Sequence, residues 1–385
     1  MAMLGKFAAG GGTIGIDIGS HSIKVVQLSP SRTGFALTRA GSTPTPPNAI
    51  KQGVITDRPA VADAVHLLMR DLGIGAGAAI AAVAGPTVVV RQVQLPAMPE
   101  AHLRKSIYWE ARNYISFPVE NSLLEFQILD THADDSTPKM DVMLVAAPRE
   151  LVDSRVETLE QAGIELLAVE VEPFSLMRAV IELPRGGMAA ANDTIALVDI
   201  GATYTSISIV SNGAFVLSRT ITIAGFNFTE AIMNVLGVDG LQAEEIKENE
   251  LQVVTDEVSR AELSPIGQEA SRALEPVLEE LVREIRRSFA FYDYQQGPGG
   301  TPRAAGAVGV SRVILTGGSA KMTGLAPFLQ DQLSLPVGLT DLFSTGMVQV
   351  PEDADELYAQ EPMLATAAGL ALREPMLVRE KGGYR

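Results

Sequence analysis

The sequence contains no cysteine, which removes disulfides, thiolate metal sites and thiol nucleophiles together. Histidine is almost as scarce: His21, His66, His102 and His132 stand far apart, with no spacing suited to zinc or to a catalytic base. No stretch approaches the roughly 20 uninterrupted apolar residues of a membrane-spanning helix. The apolar start, residues 1–12, is too short for a secretory signal. Positive charge is also short: 30 Lys and Arg face 46 Asp and Glu, a formal net charge of −16 with no basic cluster. Such a surface repels nucleic acid and anionic lipid, so neither is expected as a partner. Together these absences point to the cytosol.

What is present suits a globular chain. Hydrophobic residues make up 46% and charged residues 20% of 385, enough for more than one core. The strongest internal signal is a repeat. Thr13-Ile-Gly-Ile-Asp-Ile-Gly-Ser-His-Ser-Ile-Lys-Val-Val-Gln-Leu28 returns, nearly half the chain later, as Ile195-Ala-Leu-Val-Asp-Ile-Gly-Ala-Thr-Tyr-Thr-Ser-Ile-Ser-Ile-Val210. Each copy reads as a β-hairpin: a strand, a tight glycine turn after an aspartate, and a second strand. Ile14, Ile16 and Ile18 share one face of the first strand, so Gly15, Asp17 and Gly19 share the other. The hairpin thus delivers a carboxylate to a strand end, beside a glycine that lets a ligand approach the backbone. Two such hairpins imply two related domains facing one another.

Helical and strand patterns alternate around them. Helices are expected at 60–72, 100–115, 150–162, 172–181, 226–236, 243–254, 266–294, 322–333 and 361–372. Strands are expected at 80–83, 88–93, 142–146, 164–171 and 313–315. Pro276 is expected to kink the longest helix or to start a new one. The segments 184–192 and 296–308, rich in Gly and Ala, read as a linker and a mobile loop. The acidic run 244–262 reads as a solvated helical face. Trp109 falls beside the Leu103 and Ile107 stripe, where core packing is expected rather than partner contact.

Three glycine-rich turns follow buried strands: Asp17-Ile-Gly-Ser-His-Ser22, Asp199-Ile-Gly-Ala-Thr-Tyr204 and Thr316-Gly-Gly-Ser-Ala320. Successive backbone N–H groups in such turns hold phosphate oxygens without Lys or Arg, which suits an acidic protein. Asp17 and Asp199 would hold Mg²⁺ through its waters, and Lys24 would add a charge near the terminal phosphates. A single Asp-x-Gly is an ordinary hairpin turn. A duplicated hairpin without function would explain the glycines but not the paired aspartates. Ser20 and Ser22 either bond phosphate or cap the turn.

These residues resemble the actin and sugar kinase superfamily. Asp17 to Lys24 is similar to its first phosphate loop, Asp199 to Thr203 to its second, and Leu315-Thr-Gly-Gly-Ser-Ala320 to its adenosine motif. Glu172-Pro173 and the helix after it resemble the first connecting helix, and residues 361–370 the second, with Gly369 at a close contact. The resemblance implies an α/β, actin-like (duplicated ribonuclease H-like) two-lobed fold that binds ATP and Mg²⁺ between its lobes. Phosphate contacts would fall to Asp17, Gly19, Ser20, Ser22, Lys24, Asp199, Gly201, Ala202 and Thr203, with Asp17 and Asp199 holding the metal through water. Adenosine contacts would fall to Glu244, Lys247, Gly317, Gly318 and Ser319, and polarisation of water or metal to Glu172. Glu172 reads equally as a helix start with Glu170 close by. Glu244 and Lys247 read equally as an exposed ion pair one turn apart.

Within the superfamily, four stretches are similar to the PilM family of type IV pilus assembly proteins. They are Pro44-Thr-Pro-Pro47 with Gly53-Val54, Val93-Gln-Leu-Pro-Ala-Met-Pro99, Trp109-Glu-Ala-Arg-Asn-Tyr-Ile-Ser-Phe-Pro118, and residues 284–292. The expected division is lobe 1A at 1–84 and 149–190 with the C-terminal helix 361–385, and an FtsA-type subdomain 1C at 85–148. Lobe 2A is expected at 191–225 and 306–360, and subdomain 2B at 226–305. The family implies a cytoplasmic ATP-binding scaffold, peripheral at the inner membrane. It would take the N-terminal cytoplasmic tail of PilN in a groove between 1A and 1C, alongside other type IV pilus inner-membrane and motor components. Arg91, Gln94, Glu110 and Tyr114 are the groove candidates, although Tyr114 also sits on the apolar stripe. Two alternatives stay open. An FtsA-like cell-division tether would end in a basic amphipathic helix rather than the polar 377–385. A sugar or acetate kinase would need a polar acceptor pocket, which 85–148 does not offer.

Overall fold

The computed structural model describes residues 12–32, 34–75, 78–132, 138–183, 193–296, 309–351 and 355–381. The expected linker 184–192 and residues 297–308 of the expected loop lie outside them. The first half runs β1 (Thr13–Ile18), β2 (Ser22–Pro30), β3 (Phe35–Pro44), β4 (Ile50–Lys51), β5 (Val54–Ile55), α1 (Arg58–Asp71), β6 (Ala78–Val83), β7 (Val89–Pro96), α2 (Glu100–Ala111), β8 (Ser122–His132), β9 (Lys139–Pro148), α3 (Arg149–Gln161), β10 (Glu165–Val171) and α4 (Glu172–Met177). The second runs β11 (Thr194–Ile200), β12 (Thr205–Ser211), β13 (Ala214–Ile221), α5 (Gly225–Leu236), α6 (Gly240–Asn249), α7 (Glu257–Ala261), α8 (Pro265–Gln296), β14 (Arg312–Thr316), α9 (Leu325–Leu333), β15 (Val337–Leu339), β16 (Val348–Gln349) and α10 (Asp355–Lys381).

Two sheets repeat one topology. Their strand orders are β10-β6-β1-β2-β3-β16 and β15-β14-β11-β12-β13-β7-β9-β8. In each, an antiparallel meander (β1 to β3, β11 to β13) is extended by two strands parallel to its first, β6 and β10 or β14 and β15. The repeat read in the sequence is therefore a repeat of whole sheets, and the hairpins were only its best-preserved part.

Burial follows from the strand alternation. Ile14, Ile16 and Ile18 pack with Val61, Val65 and Leu68 of α1. On the other face of β1, Gly15 admits α10: a Cβ there would lie 1.9 Å from the Ala367 carbonyl oxygen. Gly369 makes the matching approach to α4, where a Cβ would fall 1.9 Å from the Ser175 oxygen. Residues 85–148 carry their own small core, with Val93, Leu95, Met140, Val142 and Leu144 of the strands covered by Leu103 and Ile107 of α2. Their strands are nonetheless joined to the second sheet, because β7 pairs with β13 at Arg91 and Leu217.

Several expectations change. Strands β3, β8 and β13 had not been anticipated; β8 is an edge strand whose second half is largely exposed, which blurs its alternation. Pro276 does not start a new helix: α8 runs through it, while Leu274, Leu278, Leu281 and Ile285 stay buried on one stripe. Helix α6 stops at Asn249, short of 254, because the chain turns to bury Leu251 and Val253 and the Val253 N–H donates to the Thr323 oxygen at 2.8 Å. Trp109 is not core: it is 66% exposed. Two residues beyond Ile107 is about 200° around a helix, and the Arg112 guanidinium stacks 4.4 Å from the ring centre.

Candidate functional site

A cleft of about 520 Å³ is lined by all three glycine turns. The turns after β1, β11 and β14 supply Asp17 to Lys24, Asp199 to Thr203 and Gly317 to Ser319; α4 supplies Glu172, and α6 supplies Glu244 and Lys247. Every nucleotide-site residue named from the sequence is thus brought to one cavity.

The turns are closed by their own backbones. Gly19 N–H donates to the Ser22 oxygen (3.1 Å), and Thr45 Oγ1 donates to the Gly19 oxygen (2.7 Å). Gly201 N–H donates to the Tyr204 oxygen (3.0 Å), while its carbonyl accepts from Gly225 N–H (2.9 Å) and Ser319 Oγ (3.3 Å). Among the described residues, the N–H groups of Ser20, His21, Ala202 and Thr203 have no partner. Two turns therefore present unused donors where they border the cleft.

Gly317 makes the third turn possible. Its φ of +89° and ψ of 164° belong to a region open essentially to glycine. A Cβ there would lie 2.3 Å from Asp199 Oδ1 and 2.5 Å from the Ile200 oxygen. Gly317 N–H and Thr316 Oγ1 each donate to the Pro362 oxygen at 2.8 Å. That ties the second sheet to α10, which packs along the first.

Three of the cleft's carboxylates, Asp17, Glu172 and Asp199, act on one another. Asp17 faces Lys24 across the β1–β2 register and pairs with it at 3.0 Å. The equivalent register position opposite Asp199 is Ser206, so Asp199 lacks such a cation; it is hydrogen-bonded to Glu172 instead. Burial first, then the charge of Asp199 and the hydrogen bond to it, hold the Glu172 carboxyl well above the usual carboxylate range; Asp17 adds to this and Lys24 opposes it. Burial also raises Asp199, with the Glu172 hydrogen bond acting against that and Asp17 reinforcing it. Glu172 is therefore the protonated partner and Asp199 the acceptor. Such crowding of carboxylates favours a proton or a cation. Glu170, the alternative to Glu172, is engaged elsewhere: Arg178 holds both its oxygens (2.7 and 3.1 Å), and Arg373 adds a contact at 3.2 Å.

Glu244 and Lys247 do form an ion pair, at 2.6 Å, but not an exposed one. Lys247 is buried and also donates to Thr229 Oγ1 (2.9 Å) and the Gly225 oxygen (3.3 Å), while Thr229 donates to Glu244 (2.6 Å). The start of the acidic run is thus cleft wall rather than solvated face. His21, set aside on sequence spacing, meets Glu244 and Glu248 with ligand atoms within 4.8 Å of one another. Arg155 was missed altogether. It lies on α3, lines the cleft and is buried. The available signal was a charge between Leu151 and Leu159, on a stripe that should be apolar.

The groove candidates do not share one face. Arg91 and Gln94 are three apart on a regular strand and so point to opposite sides of β7. Arg91 shares its side with Val93 and Leu95, beneath α2, whereas Gln94 lies on the other and bonds Asp141 (3.4 Å). Tyr114 packs against the small core, and Glu110 is half-buried on α2.

Comparison with known proteins fits this architecture. The family model described as type IV pilus assembly protein PilM matches residues 15–375. A solved structure titled the PilM-PilN type IV pilus biogenesis complex superposes with a TM-score of 0.78 at 28% identity, covering 94% of this chain and 98% of that one. The cell division protein FtsA of Bacillus subtilis is 23% identical over 357 residues, 83% of this chain and 76% of FtsA. MreB5 of Spiroplasma citri, solved bound to AMPPNP, shares the fold with a TM-score of 0.51 at 12% identity, over 97% of this chain and 98% of that one. The fold is the actin-like two-lobed fold, and the chain belongs to the PilM family of type IV pilus assembly proteins.

Proposed function

We propose that this chain is an ATP-binding scaffold of type IV pilus biogenesis that takes the N-terminal cytoplasmic tail of PilN on its 85–148 subdomain. The observation that carries the nucleotide part is the pair of glycine turns whose amides at Ser20, His21, Ala202 and Thr203 have no partner among the described residues and border one cavity. Phosphate oxygens suit those donors. Asp17, Asp199 and Glu172 form an all-oxygen set of the kind that holds Mg²⁺ through its waters, and their mutual crowding is the feature such an ion relieves. Bound there, the ion would neutralise phosphate charge. Lys24, paired with Asp17, would add a positive charge near the terminal phosphates, and the Glu244–Lys247 pair would border the base and ribose.

The partner part rests on the family and on the similar solved PilM-PilN complex. Arg91, Glu110 and Tyr114, on the α2 side of β7, are the contacts we favour, with Gln94 outside the groove. No described helix is long and apolar enough to cross a membrane, so attachment at the inner membrane would run through the partner; other pilus components would join the same assembly.

Calorimetric titration with ATP and Mg²⁺ tests the nucleotide part, with Asp199→Asn as the control expected to weaken metal-dependent binding. Turnover by the protein alone is expected below about 1 s⁻¹, the low end of ordinary enzymes. Absence of saturable ATP binding would overturn this reading.

A further inference from the structure

Arg155 is the cleft's unexplained charge. It is 4% exposed, at a position where α3 buries Leu151 and Leu159. Nε donates to the Ala82 oxygen (2.8 Å), and Nη1 donates to the Gly53 oxygen (2.6 Å) and the Leu151 oxygen (3.4 Å). All three acceptors are neutral carbonyls, and Nη2 has no partner among the described residues. Burial lowers the pKa to about 10, with Asp17 and Glu172 opposing that, so the group is charged at neutral pH. Neither carboxylate bonds it: Asp17 is taken by Lys24, and Glu172 by Asp199. Nη2 is not sealed in the interior but opens on the cleft, where a guanidinium edge with free donors suits an anion.

Its place in the chain adds a second consequence. The chain leaves the first sheet after β6, enters 85–148, and returns through β9 directly into α3. Arg155 stands on the returning helix and bonds Ala82 at the end of the departing strand. One side chain therefore touches the cleft and joins both connections of the inserted subdomain.

We propose that Arg155 contacts the terminal phosphate of a bound nucleoside triphosphate through Nη2, and that it relays the presence of that phosphate to the 85–148 subdomain. This rests on the nucleotide reading above. A diphosphate lacks the oxygens that would reach this end of the cleft, so Arg155 distinguishes the two nucleotides, whereas the turn amides hold both.

The test compares wild type, Arg155→Met and Arg155→Lys for binding of ADP and of AMPPNP, each with Mg²⁺, by calorimetry. Loss of a charge-assisted hydrogen bond should weaken AMPPNP binding by about tenfold or more in Arg155→Met, with ADP altered by less than about threefold. Arg155→Lys should fall between them. The difference in affinity for a labelled PilN-tail peptide between the AMPPNP and ADP states should disappear in Arg155→Met. Because Arg155 also holds three backbone carbonyls, thermal unfolding is read alongside, and Arg155→Lys decides the matter if the Met variant does not fold. Equal weakening of both nucleotides, or unchanged AMPPNP binding in a folded variant, would overturn the proposal. Wild type that binds neither nucleotide would instead remove the nucleotide reading itself.

Discussion

Replacing Gly317 by alanine should damage the protein, while the same change at Gly318 should not. At Gly317 the new methyl group meets two costs. The backbone at φ +89° and ψ 164° is a conformation costing a non-glycine residue about 1–3 kcal/mol. The Cβ would also stand 2.3 Å from Asp199 Oδ1 and 2.5 Å from the Ile200 oxygen, and relieving such overpacking typically costs about 1–3 kcal/mol. Together these give roughly 2–6 kcal/mol, or about 4–12 °C in Tm at some 2 °C per kcal/mol for a large chain. At Gly318 a Cβ meets nothing within 4 Å. Differential scanning calorimetry on both variants measures the contrast, and ATP titration adds a functional reading, since displacing Asp199 disturbs the carboxylate set. Equal melting temperatures for the two variants would refute the geometry of this turn.

Glu172 gives a pH prediction. Its carboxyl binds a proton in the folded state above the ordinary value of 4.5, where the unfolded chain has released it, so stability falls as pH rises through that window. Glu172→Gln should match wild type near pH 4 and melt higher at pH 8; a variant less stable at both would contradict the assignment. Trp109→Ala, at an exposed position, should change stability by less than about 1 kcal/mol in urea unfolding. A loss above roughly 3 kcal/mol would mean the ring is buried after all.

The duplicated hairpin was legible because its information is local. Asp17 and Asp199 each come at a strand end close to a glycine, and strand alternation alone places Asp17 on the face opposite Ile14, Ile16 and Ile18 and Asp199 on the face opposite Ala196, Val198 and Ile200. The third turn was legible for the same reason. What was not legible depends on distant partners. Arg155 carries no motif, and its meaning lies in the carbonyls of Gly53 and Ala82, which follow from how α3 packs on β6. The His21, Glu244 and Glu248 cluster forms only when the two halves face each other. Trp109 was misplaced because proximity to a stripe in sequence was taken for position on it, and the helical angle decides otherwise. The union of β7 with β13 was hidden too, since a single bridge between distant segments leaves no periodic trace.

The proposed protein is a nucleotide-responsive scaffold for a membrane partner's tail. Its most direct test is a fluorescence anisotropy titration of the purified protein with a labelled peptide copying the PilN N-terminal tail, with and without Mg-ATP. Saturable binding that shifts with ATP and is lost in Tyr114→Ala is the predicted result. No binding in either state, by protein shown to bind ATP, would contradict it and leave an actin-like protein whose partner must be sought among FtsA-like assemblies.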